Sequence, residues 1–174
     1  RNGFVKYLAG EPFYSVYNFG PYTLAPYKVV WTRVGNDIKS AVVGNYELDF
    51  INNKMVIPIE TVVLVPFNDL EESHYFCALI NSSVSRLIVM SYSNKGTGSF
   101  GSPHILKNIF IPKFENSKSI HVELSKLSIR CHDKVIADID VSDLEDQIDE
   151  LTAELWDLTS DELKDIKESL KEVL

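Results

Sequence analysis

Between Asn94 and Lys107 the chain gathers glycines, hydrogen-bonding side chains and two lysines: Asn94-Lys95-Gly96-Thr97-Gly98-Ser99-Phe100-Gly101-Ser102-Pro103-His104-Ile105-Leu106-Lys107. Glycine lets backbone approach a ligand closely because no Cβ intervenes. Lys95 and Lys107 flank the stretch with positive charge, while Asn94, Ser99 and His104 can bond a phosphate oxygen or a base edge. A nucleotide-phosphate loop is poorly supported, because the Gly-Lys-Ser/Thr ending is missing and no long helix opens after a parallel strand. Two readings stand side by side: a loop that contacts nucleic acid, and a purely structural turn.

Other reactive side chains form no competing constellation. His74, His104, His121 and His132 are scattered, and no Ser/His/Asp or Cys/His arrangement has sequence support. His74 and Cys77 are three apart on a predicted helix and could lie side by side, yet no second pair at metal-ligand spacing accompanies them. Cys77 and Cys131 lie far apart and outside any CxxC, which favours two buried reduced thiols of an intracellular protein over a disulfide. The chain by itself is expected to hold no catalytic, cofactor-binding or metal-binding residue.

The elements that must position the glycine-rich stretch are legible as patterns. Residues 1–27 carry eight aromatics (Phe4, Tyr7, Phe13, Tyr14, Tyr17, Phe19, Tyr22 and Tyr27) among three prolines, which excludes a long helix. They suit a wall of core rings, or in part a platform for stacking bases. Lys28–Val34 predicts a strand, with Ser40–Val43 its hairpin partner across Gly35-Asn36-Asp37. Lys54–Ile59 and Thr61–Pro66 predict two more, with Pro58 and Pro66 at an edge or end. Asn68 with Glu71, or Asp69 with Glu72, has capping-box spacing for a helix over Glu71–Ile80. The polar break Asn81-Ser82-Ser83 precedes a second amphipathic run, Val84–Met90, and Ile109-Phe110-Ile111-Pro112 predicts a closing strand.

From Ser117 onward the chain turns helical. Ile120, Leu124, Leu127, Cys131 and Val135 form one stripe; Val141, Leu144, Ile148, Leu151 and Leu155 form a second. Thr159 and Glu162 make a capping box with Leu158 and Leu163 as its hydrophobic staple, and Ile166, Leu170 and Val173 follow. At 174 residues, 45% apolar and 24% charged, the chain fits one domain with a helical appendage and needs no staples. No apolar run approaches the roughly 20 residues of a membrane helix. Arg1–Lys6 forms no signal peptide and no Met initiates the chain, as expected of a piece of something longer.

The net charge of −8 is split unevenly. Residues 1–114 hold ten Lys/Arg against eight Asp/Glu, a balance of +2; residues 115–174 hold seven against seventeen, a balance of −10. A nucleic-acid partner would meet the first part, because the acidic tail repels phosphates. The acidic run itself suits a solvated helix face.

In its order of pieces, Tyr75–Phe114 resembles the target-recognition domain of adenine-N6 DNA methyltransferases from restriction–modification systems, and the related specificity subunits of type I restriction enzymes. There a helix ends in a Leu/Ile-Asn-Ser-type break, and a second helix, a Gly-rich loop and an Ile-x-Ile-Pro strand follow. Pro12–Trp31 is similar to the entry of that domain in the TaqI-like enzymes, and Trp156–Leu163 to the Leu-Trp-x-Leu-Thr end of the same family. Between Gly35 and Asn68 the likeness is loose, as expected where each member reads a different site. The catalytic Asn-Pro-Pro-Tyr motif is missing, since Ala25-Pro26-Tyr27 lacks the Asn that holds the target adenine, and no S-adenosylmethionine loop precedes it.

The resemblance implies an α+β fold: a small mixed or antiparallel β-sheet recognition domain over 1–114, packed with short helices, then an acidic α-helical segment over 115–174. It implies the DNA-recognition part of a type IIG or related prokaryotic, cytoplasmic methyltransferase. Its partners would be double-stranded DNA and the catalytic domain of the same parent chain, which alone would bind S-adenosylmethionine. On charge, Lys28, Arg33, Lys95 and Lys107 are the expected phosphate contacts, with Asn94 and Ser99 as hydrogen-bonding neighbours. A non-catalytic helical adaptor joining subunits is the rival expectation. A stand-alone specificity subunit should carry two such domains in tandem, and no internal repeat is present.

Overall fold

A computed structural model describes Gly10, residues 19–48, 50–59, 61–93, Phe100 and 106–174. A 3₁₀ turn over Pro21–Leu24 gives way at Pro26 to β1 (Tyr27–Thr32), whose Val29 and Trp31 point into the core. β1 pairs antiparallel with β2 (Ser40–Val43), Trp31 opposite Ser40. On its other side it pairs antiparallel with β5 (Val62–Phe67), Val29 opposite Val65. The order β2-β1-β5 leaves β5 at an edge, where Pro66 is exposed and its missing N–H costs no ladder bond. β3 (Asn45–Leu48) and β4 (Ile51–Met55) form a separate antiparallel ribbon between β2 and β5.

Asp69 starts α1 (Leu70–Asn81) from extended backbone, its carboxylate accepting the Glu72 N–H at 2.8 Å. Ser82 then breaks the path and starts α2 (Ser83–Tyr92): its hydroxyl donates to the Leu79 carbonyl at 2.8 Å and faces the Ser85 N–H at 3.4 Å. The acidic part supplies α3 (Ser119–Ile136), α4 (Ser142–Leu155) and α5 (Ser160–Val173). Thr159 and Glu162 close the capping box that opens α5. The fold is α+β with antiparallel sheets, as the sequence implied. Among the described residues no helix is long and apolar enough to cross a membrane.

Three apolar clusters tie the parts together. Val29, Trp31, Ile38, Cys77, Ile80, Val89 and Phe100 fill the space between the sheet and the first two helices. Tyr75, Ala78 and Leu79 on the other face of α1 meet Leu124, Leu127, Leu144 and Ile148 of α3 and α4. Val84 of α2 meets Ala153 and Leu163. Trp156 packs against all three. The acidic helices thus complete the core of the first part.

Three expectations need correction. Ile109–Pro112 is not a strand: Ile109 caps a turn through its N–H to the Leu106 carbonyl at 3.1 Å and buries its side chain, while Phe110 is 77% exposed. With no free sheet edge beside it, an apolar run has nothing to pair with. The ladder predicted over Lys54–Ile59 is formed instead by Ile51–Met55, and Val56–Ile59 is extended but unpaired in any sheet. The stripe on α3 ends before Val135, which is 61% exposed. Of the N-terminal aromatics, Phe4, Tyr7, Phe13, Tyr14 and Tyr17 lie outside the described residues.

Candidate nucleic-acid interface

β1 runs out at Arg33, and its last backbone groups hold the glycine-rich stretch in place. The Phe100 N–H donates to the Arg33 carbonyl at 2.7 Å, and the Trp31 indole N–H donates to the Phe100 carbonyl at 3.3 Å. The Arg33 N–H in turn donates to the Thr61 carbonyl at 3.1 Å. The Phe100 ring is fully buried against the sheet core, and it lies where a Cβ on Gly35 would come within 3.4 Å of it. Gly35 therefore clears the seat that the ring occupies. Arg33 is exposed beside this junction, and Lys107 is exposed on the turn by which the chain re-enters the core at Ile109. Lys107 borders an open cleft of about 450 Å³ formed with Phe76, Ile80, Leu106 and Phe110.

Lys28 does not belong to this surface. Its side chain is fully buried and its ammonium donates to the Ala25 carbonyl at 2.7 Å. Burial pushes its pKa below the ordinary lysine value. A phosphate contact by Lys28 is therefore corrected to an internal tie between β1 and the preceding turn. Asn94, Lys95 and Ser99, like His104, lie outside the described residues. Of the six expected contacts, the structure places Arg33 and Lys107 in solvent at the two anchors of one loop.

His74 and Cys77 diverge instead of pairing. His74 Nδ1 lies 3.0 Å from the Ser128 hydroxyl on α3, and its ring meets His132 edge-on at 4.8 Å. Burial first, and His132 second, push its pKa down to about 4. His132 takes the Val42 N–H on Nε2 at 2.9 Å and donates Nδ1–H to the Ser128 carbonyl at 2.8 Å, so one neutral tautomer stitches α3 to β2. Cys77 faces the Ser40 hydroxyl at 3.3 Å, and burial pushes its thiol up to about 11. Such a thiol stays protonated and is a poor nucleophile or metal ligand. Among the described residues no three His, Cys, Asp or Glu side chains gather as a metal would require.

A buried carboxylate that the sequence reading passed over ties the acidic helices to α2. Asp149, 6% exposed, accepts the Ser83 N–H at 2.7 Å and the Ser83 hydroxyl at 2.6 Å. Lys167 completes the cluster, 3.1 Å from Asp149 and 2.7 Å from Asp146. An acidic residue inside an otherwise acidic stripe gives no sequence signal that it will be drawn inward. No protein-family model, curated protein or solved structure matches the chain.

Proposed function

We propose that this chain is the DNA-recognition part of a site-specific, S-adenosylmethionine-dependent adenine-N6 DNA methyltransferase of a prokaryotic, cytoplasmic restriction–modification system. The parent's catalytic domain, elsewhere in the same chain, holds the cofactor and transfers the methyl group. This part grips the duplex and reads its sequence while the target base is extruded. Besides the resemblance, the observation that carries the reading is the junction at Phe100: it holds a glycine-rich loop between two exposed cations, Arg33 and Lys107, remote in charge from the −10 helical part. Such cations contact phosphates and set register, leaving base readout to other groups.

With Lys28 internal, Arg33, Lys95 and Lys107 are the phosphate contacts of this reading. Three contacts give a log–log salt slope of about −3 and weak, micromolar binding. Fluorescence anisotropy on a duplex of about 30 bp, between about 50 and 200 mM salt, measures both. Arg33→Ala and Lys107→Ala should each flatten the slope by about 1. Nanomolar binding without salt dependence, or no binding at the lower salt, overturns the reading.

An apolar ridge favours a second reading, a helical adaptor. Val135, Ile136 and Ile139 at the end of α3 are 61%, 85% and 52% exposed, and a partner subunit could cover them. Self-association or capture of a catalytic subunit that Ile136→Glu abolishes, in a chain that ignores DNA, would select the adaptor.

A further inference from the structure

The β3–β4 ribbon hydrogen-bonds to neither neighbour in the main sheet, and none of its residues joins an apolar cluster. The side chains of Asn45, Tyr46, Glu47, Asn52, Asn53 and Lys54 are all exposed. No hydrogen bond or ion pair among the described residues engages the side chains of Asn52, Asn53 or Lys54. The register sets Tyr46 opposite Lys54, so alternation along β4 puts Tyr46, Asn52 and Lys54 on one face and Asn53 on the other. Phe50 stands at the tip, 83% exposed. An element that adds nothing to the core yet presents an amide, a cation and two aromatics is free to vary without cost to folding, as a reading element must be.

We infer that this ribbon enters the major groove of double-stranded DNA and reads an A·T pair. The inference rests on the proposed function. A two-stranded ribbon fits a groove about 12 Å wide. There Asn52 can bond adenine N6 and N7 in a bidentate pair, and Phe50 can meet the thymine methyl. Lys54, two residues along the same face, reaches a flanking phosphate. Charge permits the approach: residues 19–67 hold four basic and four acidic side chains, with Asp37 already held by Arg86, whereas 115–174 carry −10.

The test uses the 174-residue chain, a pool of duplexes with a randomised core, and a photo-crosslinking amino acid at position 50 or, as control, at position 136. Crosslinking to DNA from position 50 and not from 136 is expected. Asn52→Ala should lower the adenine preference among selected duplexes about tenfold, and Asn53→Ala should leave it within about twofold. Replacing adenine by its 7-deaza analogue should mimic Asn52→Ala. Because the ribbon lies outside the core, both variants should keep the parent circular dichroism spectrum and melting temperature. DNA binding without a crosslink at position 50, or equal effects from Asn52 and Asn53, overturns this inference and leaves the proposed function intact. No DNA binding at all removes both.

Discussion

Asp149→Ala is the sharpest probe of how the acidic helices hold the recognition part. The carboxylate takes two hydrogen bonds from Ser83, at 2.7 and 2.6 Å, and both residues are buried, at 6% and 8% exposure. Removing it strands the Ser83 N–H, the first helical N–H of α2, where no intrahelical acceptor exists. A stranded buried donor costs about 1–3 kcal/mol, and loss of a cap adds about 1. Lys167 keeps Asp146 at 2.7 Å and adds little. The expected loss is therefore about 3 kcal/mol, seen as a lower urea midpoint at unchanged m-value, or a melting temperature lower by about 6–12 °C. Asp149→Asn retains an acceptor for the N–H and should lose about half as much. In the Asp149→Ala background, Ser83→Ala should cost about 1–2 kcal/mol less than it does alone, because the hydroxyl has already lost its partner. A loss below about 1 kcal/mol, or strict additivity of the two substitutions, refutes the reasoning.

Three further outcomes follow from the same geometry. His74 has a folded pKa near 4 against 6.5 unfolded, so its stabilisation is whole above pH 6.5 and is lost as pH falls through 4. That loss is at most about 3 kcal/mol, and His74→Gln should flatten the stability profile across this window in urea melts. A profile unchanged by the substitution would show that His74 titrates as a solvated imidazole. Lys28→Met should cost about 1 kcal/mol through the lost Ala25 contact while leaving the salt slope for DNA unchanged, and a flatter slope would return Lys28 to the interface. A thiol reagent at neutral pH should modify Cys131, which is half-buried, and spare Cys77 until urea unfolds the chain; two rapidly reacting thiols in the native protein would contradict the burial of Cys77.

Local signals in the sequence were clearest where one short interaction decides the structure. The Asp69 cap and the Thr159–Glu162 box mark helix starts because a side chain answers a backbone N–H within one turn. The β1–β2 hairpin is legible because Val29 and Trp31 alternate with outward residues across a Gly-Asn turn. Non-local facts were hidden. Ile109-Phe110-Ile111 has strand composition, but only a free ladder edge could make it one. Asn52 and Asn53 have poor strand propensity, yet they pair within the ribbon because the turn at Phe50 brings β3 alongside. Lys28 has the charge of a phosphate contact, and only the position of the Ala25 carbonyl reveals that its ammonium turns inward. At the candidate interface, the anchors Arg33 and Lys107 were legible as cations, while the Phe100 seat that brings them to one loop needed three-dimensional contacts separated by up to 69 positions.

Trp156 touches every apolar cluster in the molecule. A graft of new sequence specificity into a sister enzyme that took only residues 1–114 would therefore import a lobe lacking its central indole, and would leave the donor helices with an apolar wound. The transferable cassette runs on through α5. Evolution by shuffling of such reading heads must move the acidic helices together with the sheet, whatever the helices themselves do at the duplex.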